Sequence, residues 1–172
     1  MSEVVGAPQR ILVYGVTGAG KTTLAAKLAV VTGRPWHSVD DLTWEPGWVT
    51  VPVAEQRQRI EAICSGDRWI LDTAYGQWLE VPLARAELIV GLDYSRSVSL
   101  ARLVRRTVTR AVDKRLICNG NVQTWRRILA LDFIVWWHFR SFARKRARMR
   151  AWTADLAMPT TVLFRSPADT ER

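Results

Sequence analysis

The sequence predicts an α/β fold, a parallel sheet with helices on both faces, and three observations predict it. Four short runs, "RILVYG" (10–15), "RWILD" (68–72), "ELIVGLD" (87–93) and "TTVLFR" (160–165), have strand length and continuous apolar character, the pattern of strands buried on both sides. Helical patterns alternate with the strands, which argues for crossover units and a parallel sheet. The first run ends in a glycine-dense loop that opens a helix. The 172 residues fit one domain, 1–172, with one core.

Taken in order, residues 1–9 read as a loose N-terminus and 10–15 as a buried first strand. "KTTLAAKLAVV" (21–31) is rich in Ala and Leu and stops at Gly33, so it predicts a helix. "PWHSVDD" (35–41) predicts a second short strand that runs into acidic residues. "VPVAEQRQRIEAICSG" (51–66) reads as a helix with Val53, Ile60, Ile63 and Cys64 apolar and Gly66 at its end. The third strand ends at Asp72, and the fourth closes at Asp93. Some 65 residues without strand character follow. Within them "SRSVSLARLVRRTVTRAVDKR" predicts one long helix, Asn119-Gly120-Asn121 a turn, and the stretch from Val122 to Leu156 one or two more helices. Residues 94–155 thus form a helical insertion, a candidate lid, before the fifth strand.

"GVTGAGKT" (15–22) fits the pattern G-x-x-x-x-G-K-[ST] at every fixed position, between a strand and a helix. A phosphate chain needs inward-pointing backbone N–H groups, which side chains would block. The N-terminus of the following helix adds free N–H groups and the positive end of its dipole. Gly15, Val16, Thr17, Gly18, Ala19, Gly20, Lys21, Thr22 and Thr23 are therefore the candidate ATP-binding residues. Lys21 suits the β- and γ-phosphates, and the Thr22 hydroxyl suits Mg²⁺.

Other residues bear on what happens to the triphosphate. Asp72, at a strand end, suits a carboxylate near the Mg²⁺ shell or a cap for the next segment. Asp40 and Asp41 follow the second strand, where ligands gather in open sheets; either suits the orientation or deprotonation of an acceptor hydroxyl, with Asp40 favoured by position. On the helix from 97 to 114, Arg102, Arg105, Arg106 and Arg110 fall within an arc of roughly 140°. Ala101, Val104, Val108 and Ala111 lie opposite, which predicts a packed face and a cationic one. Arg106 and Arg110 are the candidates for neutralising transferred charge.

Of the nine tryptophans, Trp44 and Trp48 flank the turn signal "EPG" and read as walls of an acceptor pocket or anchors of a loop. Trp69, Trp136 and Trp137 read as core, the last two alternatively as a dimer contact, which leaves monomer and homodimer open. Net charge is +9, but residues 96–150 hold 15 Lys or Arg against Asp113 and Asp132. The rest of the chain is mildly acidic. The basic section asks for an anionic partner. Arg140, Arg144 and Arg148, with Lys145, Arg146 and Arg150 beside them, suit nucleic-acid backbone as a rival partner, or a solvated charge run. The longest apolar tract, 128–139, is interrupted by Asp132 and His138 and is too short for a membrane span of about 20 residues. Cys64 and Cys118 lack metal-ligand spacing and read as reduced thiols of a cytoplasmic chain.

With these residues in view, the chain resembles the P-loop kinases related to adenylate kinase, and within them the small topology modulation proteins. "GVTGAGKTTLA", "HSVDDLTWEPGW" (37–48), "DRWILDTAY" (67–75) and "LICNGNVQTWRR" (116–127) carry the resemblance, in order, from about residue 10 to residue 166. It implies a three-layer α/β/α P-loop fold with five parallel strands in the order 2-3-1-4-5. It also implies ATP and Mg²⁺ at the glycine loop and a lid carrying Arg106 and Arg110. The acceptor, a small molecule such as a nucleotide or nucleoside, would sit near Asp40, Asp41, Trp44, Trp48 and Tyr75. The chain departs from the group at Asp72-Thr73-Ala74-Tyr75, where the group usually has Asp-Gly-Asn-Tyr, so an amide contact to the acceptor is missing.

Overall fold

The computed structural model describes residues 6–72, 76–112, 116–117, 120–122 and 131–171. Its central sheet has five strands, all parallel. They are β1 (Arg10–Gly15), β2 (Trp36–Ser38), β5 (Trp69–Asp72), β6 (Leu88–Leu92) and β9 (Thr160–Phe164). The spatial order is β2-β5-β1-β6-β9. Counted along the chain this is 2-3-1-4-5, the order that the resemblance implies.

The first strand shows why the sheet needs two covers. Successive side chains point to opposite faces, and from Ile11 to Tyr14 all four are buried. Ile11 and Val13 pack with Ala25, Leu24 and Leu28 of α1 (Lys21–Thr32) on one face. Leu12 and Tyr14 pack on the other with Ile60 and Cys64 of α3 (Val53–Cys64), and with Met149 and Trp152 of a long C-terminal helix (Leu131–Ala154). Each such buried side chain contributes roughly 1.5–3 kcal/mol. Helix α1 ends as its sequence signals: Gly33, at φ 65°, returns its N–H to the Ala29 carbonyl. Burial pushes the Cys64 thiol up to about 11, so it is inert beneath α3.

Several short elements were not legible in the sequence. After β2 the chain turns into α2 (Val39–Thr43), so Asp40 and Asp41 sit in a helix's first turn, where its dipole favours acids. A hairpin follows, β3 (Trp44–Glu45) against β4 (Val49–Thr50). The "EPG" turn signal lies in its loop, with Gly47 at φ 80° and Trp48 at φ 63°. A one-turn helix α4 (Glu80–Leu83) precedes β6. In the insertion, α5 (Arg96–Val112) leads to a second hairpin, β7 (Leu116–Ile117) against β8 (Asn121–Val122), with Gly120 at φ 80°. Helix α6 (Leu131–Ala154) then returns to the sheet, and after β9 a 3₁₀ turn, Pro167–Thr170, closes the described chain. Cys118 and Asn119 lie outside the described residues. No helix among the described residues is long and apolar enough to cross a membrane.

Two expectations about the helices are corrected. Helix α5 packs through Ser99, Leu103 and Thr107, all at most 2% exposed, whereas Val104 and Val108 are more than 40% exposed. The packed face is rotated by one residue, about 100°, and meets the bare loop backbone at Gly18 through Ser99 and Leu103. Trp136 is not core but half exposed, with the Arg140 guanidinium over its ring at 5.0 Å. The side chain of Trp137 lies outside the described residues. Trp69 is fully buried, as expected.

Candidate functional site

The site grows from the end of β1. Gly15 leads into the loop, and α1 begins at Lys21. Val16 and Ala19 are buried against Leu92, Tyr94 and Phe142, so the loop is anchored by its two apolar members. The Ala19 N–H donates to the Val16 carbonyl at 3.2 Å. Gly20, at φ 97°, ends the loop with no side-chain cap, leaving the first N–H groups of α1 for a ligand. Gly18 is required twice. Its φ is 85°, and any Cβ would meet the Ser99 carbonyl oxygen and stand 3.0 Å from the Leu103 Cβ. Helix α5 therefore lies directly on the loop.

Two further contacts fix that docking. Arg102 donates from Nη1 to the Ala19 carbonyl at 3.3 Å, with its guanidinium over the Tyr94 ring. His138 of α6 is fully buried between loop and helix, 3.2 Å from the Thr17 carbonyl through Nδ1 and 3.4 Å from the Ser99 hydroxyl through Nε2. A carbonyl only accepts, so Nδ1 carries the proton and the neutral ring can accept through Nε2. Burial pushes its pKa below 6.5, against the pull of the Thr17 carbonyl and with help from Arg96 and Lys145. A lowered native value means that protonation opposes folding. Stability should therefore fall as pH drops through 6.5. His138→Gln should flatten the fall between pH 7.5 and 5.5 in urea unfolding, and an unchanged slope would argue against a buried neutral ring.

Lys21 is partly buried, and its Nζ donates to the Val16 carbonyl at 3.2 Å. Burial lowers its pKa; Asp40 and Asp72 counter this, and Arg106 adds to it. Asp40, rather than Asp41, is thus the member of the doublet whose charge reaches Lys21. Asp72 is 6% exposed at the end of β5. Its Oδ1 accepts from the Val39 N–H at 3.0 Å, and the Thr22 hydroxyl lies beside the same carboxyl. Burial raises its pKa, opposed by Thr22, the Val39 N–H and Lys21. Asp72 thus accepts from the first N–H of α2, a segment that precedes it in the chain rather than the one that follows, and stands beside Thr22.

A hydroxyl paired with one carboxylate fits Mg²⁺, which keeps waters and binds through one or two protein oxygens plus phosphates. Among the described residues, no group of three or more His, Cys, Asp or Glu could hold a metal without a ligand's help.

The predicted acceptor loop is brought to a partner from the insertion. Asn121, 3% exposed, accepts the Trp48 N–H through Oδ1 at 2.8 Å and donates through Nδ2 to the Glu45 carbonyl at 3.0 Å. One side chain thus clamps hairpin β7–β8 onto hairpin β3–β4, and it holds Trp48 in the left-handed region that non-glycine residues avoid. The Trp44 and Trp48 rings pack edge to face at 5.7 Å. Asn121→Ala should cost about 1–2 kcal/mol and speed proteolysis within both hairpins, whereas unchanged cleavage would mean that the hairpins are held by other contacts. Tyr75 and the side chain of Arg110 lie outside the described residues.

The basic run of α6 is divided: Arg140, Arg144 and Arg150 are exposed, and some of the run meet partners in the fold. Asp93, 2% exposed at the end of β6, takes Arg146 on Oδ1 and Arg150 on Oδ2, the latter at 3.0 Å. Arg148 lies near enough to the Tyr14 phenol to oppose the rise that burial brings to its pKa. Lys145 lies near enough to Lys21 and Asp40 for their charges to bear on it. Asp93, Asn121 and His138 were not singled out as site residues in the sequence, and Lys145 only as a member of a basic run suited to nucleic-acid backbone. For Asp93 a signal existed, since it ends a strand just as Asp72 does.

No family model matches the chain, and no curated protein matches it. Solved structures do. Shikimate kinase from Bacteroides thetaiotaomicron superposes over 96% of this chain and 93% of its own, at 18% identity and TM-score 0.54. Shikimate kinase from Aquifex aeolicus covers 93% and 89%, at 14% identity and TM-score 0.52. A gluconokinase from Sinorhizobium meliloti covers 59% of this chain at 21% identity and TM-score 0.42, and the chain spans 66% of that protein's length. The two shikimate kinase matches and the sheet order define the class: the chain has the fold of the small P-loop kinases. The likeness stops at the fold and singles out no subgroup.

Proposed function

We propose that the chain is an ATP-dependent phosphotransferase that moves the γ-phosphoryl group of ATP to a small acceptor. The observation that carries this reading is the convergence, at one end of the sheet, of loop 15–22, the Thr22–Asp72 pair and Asp40, whose charge faces Lys21. The loop N–H groups and Lys21 would hold the triphosphate. Thr22 and Asp72 would hold Mg²⁺, which supplies charge neutralisation on the phosphate oxygens. Asp40 would orient the acceptor hydroxyl and take its proton, being exposed toward solvent beside Lys21. Arg106, near enough to Lys21 to bear on its charge, would close over the transferred group from the insertion, with 94–155 acting as a lid. Arg110 would join it. Trp44, Trp48 and Tyr75 would wall the acceptor site, with Asp41 at its rim. No covalent nucleophile is needed, because positioning and charge stabilisation supply the rate.

The likeness of "HSVDDLTWEPGW" and "LICNGN" to the topology modulation proteins is part of this proposal. Asn121 gives those two segments a physical link, since it binds one to the other. Nucleic-acid binding by α6 has weaker support, because Arg146, Arg148 and Arg150 are engaged within the fold.

The test is ADP release over a panel of nucleosides, nucleotides and small hydroxy compounds. Turnover should rise with one acceptor and collapse in Asp40→Asn but not in Asp41→Asn. ATP hydrolysis indifferent to every acceptor would leave a plain NTPase and defeat the proposal.

A further inference from the structure

Helix α6 turns one line of residues toward the loop and the sheet: His138, Phe142, Lys145, Met149 and Trp152, recurring every three or four positions. His138 meets the Thr17 carbonyl, and Phe142 packs on Val16 and Ala19. Met149 is fully buried, and Trp152 stands edge-on to Tyr14 at 4.8 Å. Lys145 is the one lysine or arginine on that line. Its position between Phe142 and Met149 directs it over the end of β1, where it faces Lys21 and Asp40.

The charge there is lopsided. Arg106 bears on Lys21, and Lys21, Arg144 and Arg148 bear on Lys145, while Asp40 and Asp72 are the acids whose charge reaches Lys21. Burial first, then Lys21, Arg144 and Arg148, push Lys145 down to about 7, with Asp40 pulling the other way. A half-buried ammonium on that line, with cations bearing on it, is satisfied by an anion. A triphosphate at the loop would satisfy Lys21 and Arg106. Its Mg²⁺ would cancel part of the charge it brings, so Lys145, with Arg144 and Arg148 bearing on it, would keep a cationic surplus beside Asp40.

The geometry points to Lys145 as an acceptor-binding residue, and so to an acceptor that carries a phosphate or carboxylate group beside its reacting hydroxyl. This rests on the phosphotransferase reading and narrows it. Asp40 addresses the hydroxyl, and Lys145, with Arg144 and Arg148 behind it, holds the anionic group.

The test is calorimetric titration of inorganic phosphate into protein already saturated with Mg²⁺ and a non-hydrolysable ATP analogue, so that the loop is filled. A saturable phosphate site is expected. It should weaken at least tenfold in Lys145→Met and be kept in Lys145→Arg, with analogue affinity in both variants within threefold of the parent. No phosphate site on the saturated protein, or a loss that falls on the analogue instead, overturns this inference and leaves the phosphotransferase reading intact. An analogue that fails to bind the parent overturns both. Thermal unfolding of both variants checks that the fold is kept, and Lys145→Arg carries the test if the methionine variant does not fold.

Discussion

Lys21→Met should lower acceptor-dependent turnover by a factor of about 10² to 10³ or more while leaving the protein at least as stable as its parent. The two effects have one cause. Burial and the neighbouring Arg106 lower the Lys21 pKa, and Asp40 and Asp72 only partly offset this. The native state binds that proton less tightly than the unfolded chain does. Carrying the charge at neutral pH therefore opposes folding, and methionine keeps the stem without the charge. The same crowding makes the ammonium ready for phosphate oxygens, a charge held in place without reorganisation. Thermal unfolding with and without MgATP separates the effects. The parent midpoint should rise with nucleotide by mass action, and the variant midpoint should start equal or higher and rise less. Activity within tenfold of the parent would remove Lys21 from the reaction.

The loop was legible because its chemistry is local. Three glycines, a lysine and a threonine at fixed spacing between strand and helix state their purpose without reference to anything distant. The inner strands β1, β5 and β6 were legible because burial on both faces leaves an unbroken apolar run, whereas the edge strands β2 and β9 are only partly buried. What the sequence concealed is long-range. Asn121 lies 73 residues from Trp48, and nothing near either shows that one amide serves both hairpins. His138 and Thr17 are 121 residues apart. Lys145 lies in a basic run whose members look alike in one dimension; the turn of α6 sends it to the loop and Arg146 to Asp93. The packed face of α5 was misread because periodicity finds apolar residues, whereas the buried face carries the polar Ser99 and Thr107 beside Leu103.

That packing yields the largest stability effect expected. Gly18→Ala should cost about 3 kcal/mol or more, a fall of roughly 6–12 °C in midpoint for a domain of this size. The φ of 85° already disfavours an L side chain, a cost near 1 kcal/mol. The added methyl would also meet the Ser99 carbonyl oxygen and the Leu103 Cβ, and backbone in a helix cannot rotate aside as a flexible side chain would. Helix α5 would have to lift, weakening the Arg102–Ala19 bond and the His138 bridge together. Gly33→Ala is the control. Its φ is 65°, yet nothing stands within 4 Å of its Cβ position, so it should lose only the backbone cost of about 1 kcal/mol. Urea unfolding of the two variants measures the difference directly. Equal losses would mean that α5 does not rest on the loop. A larger loss at Gly18 gives that glycine a second role beside baring the backbone to phosphate: it is the seat on which the helix carrying Arg106 is held against the site.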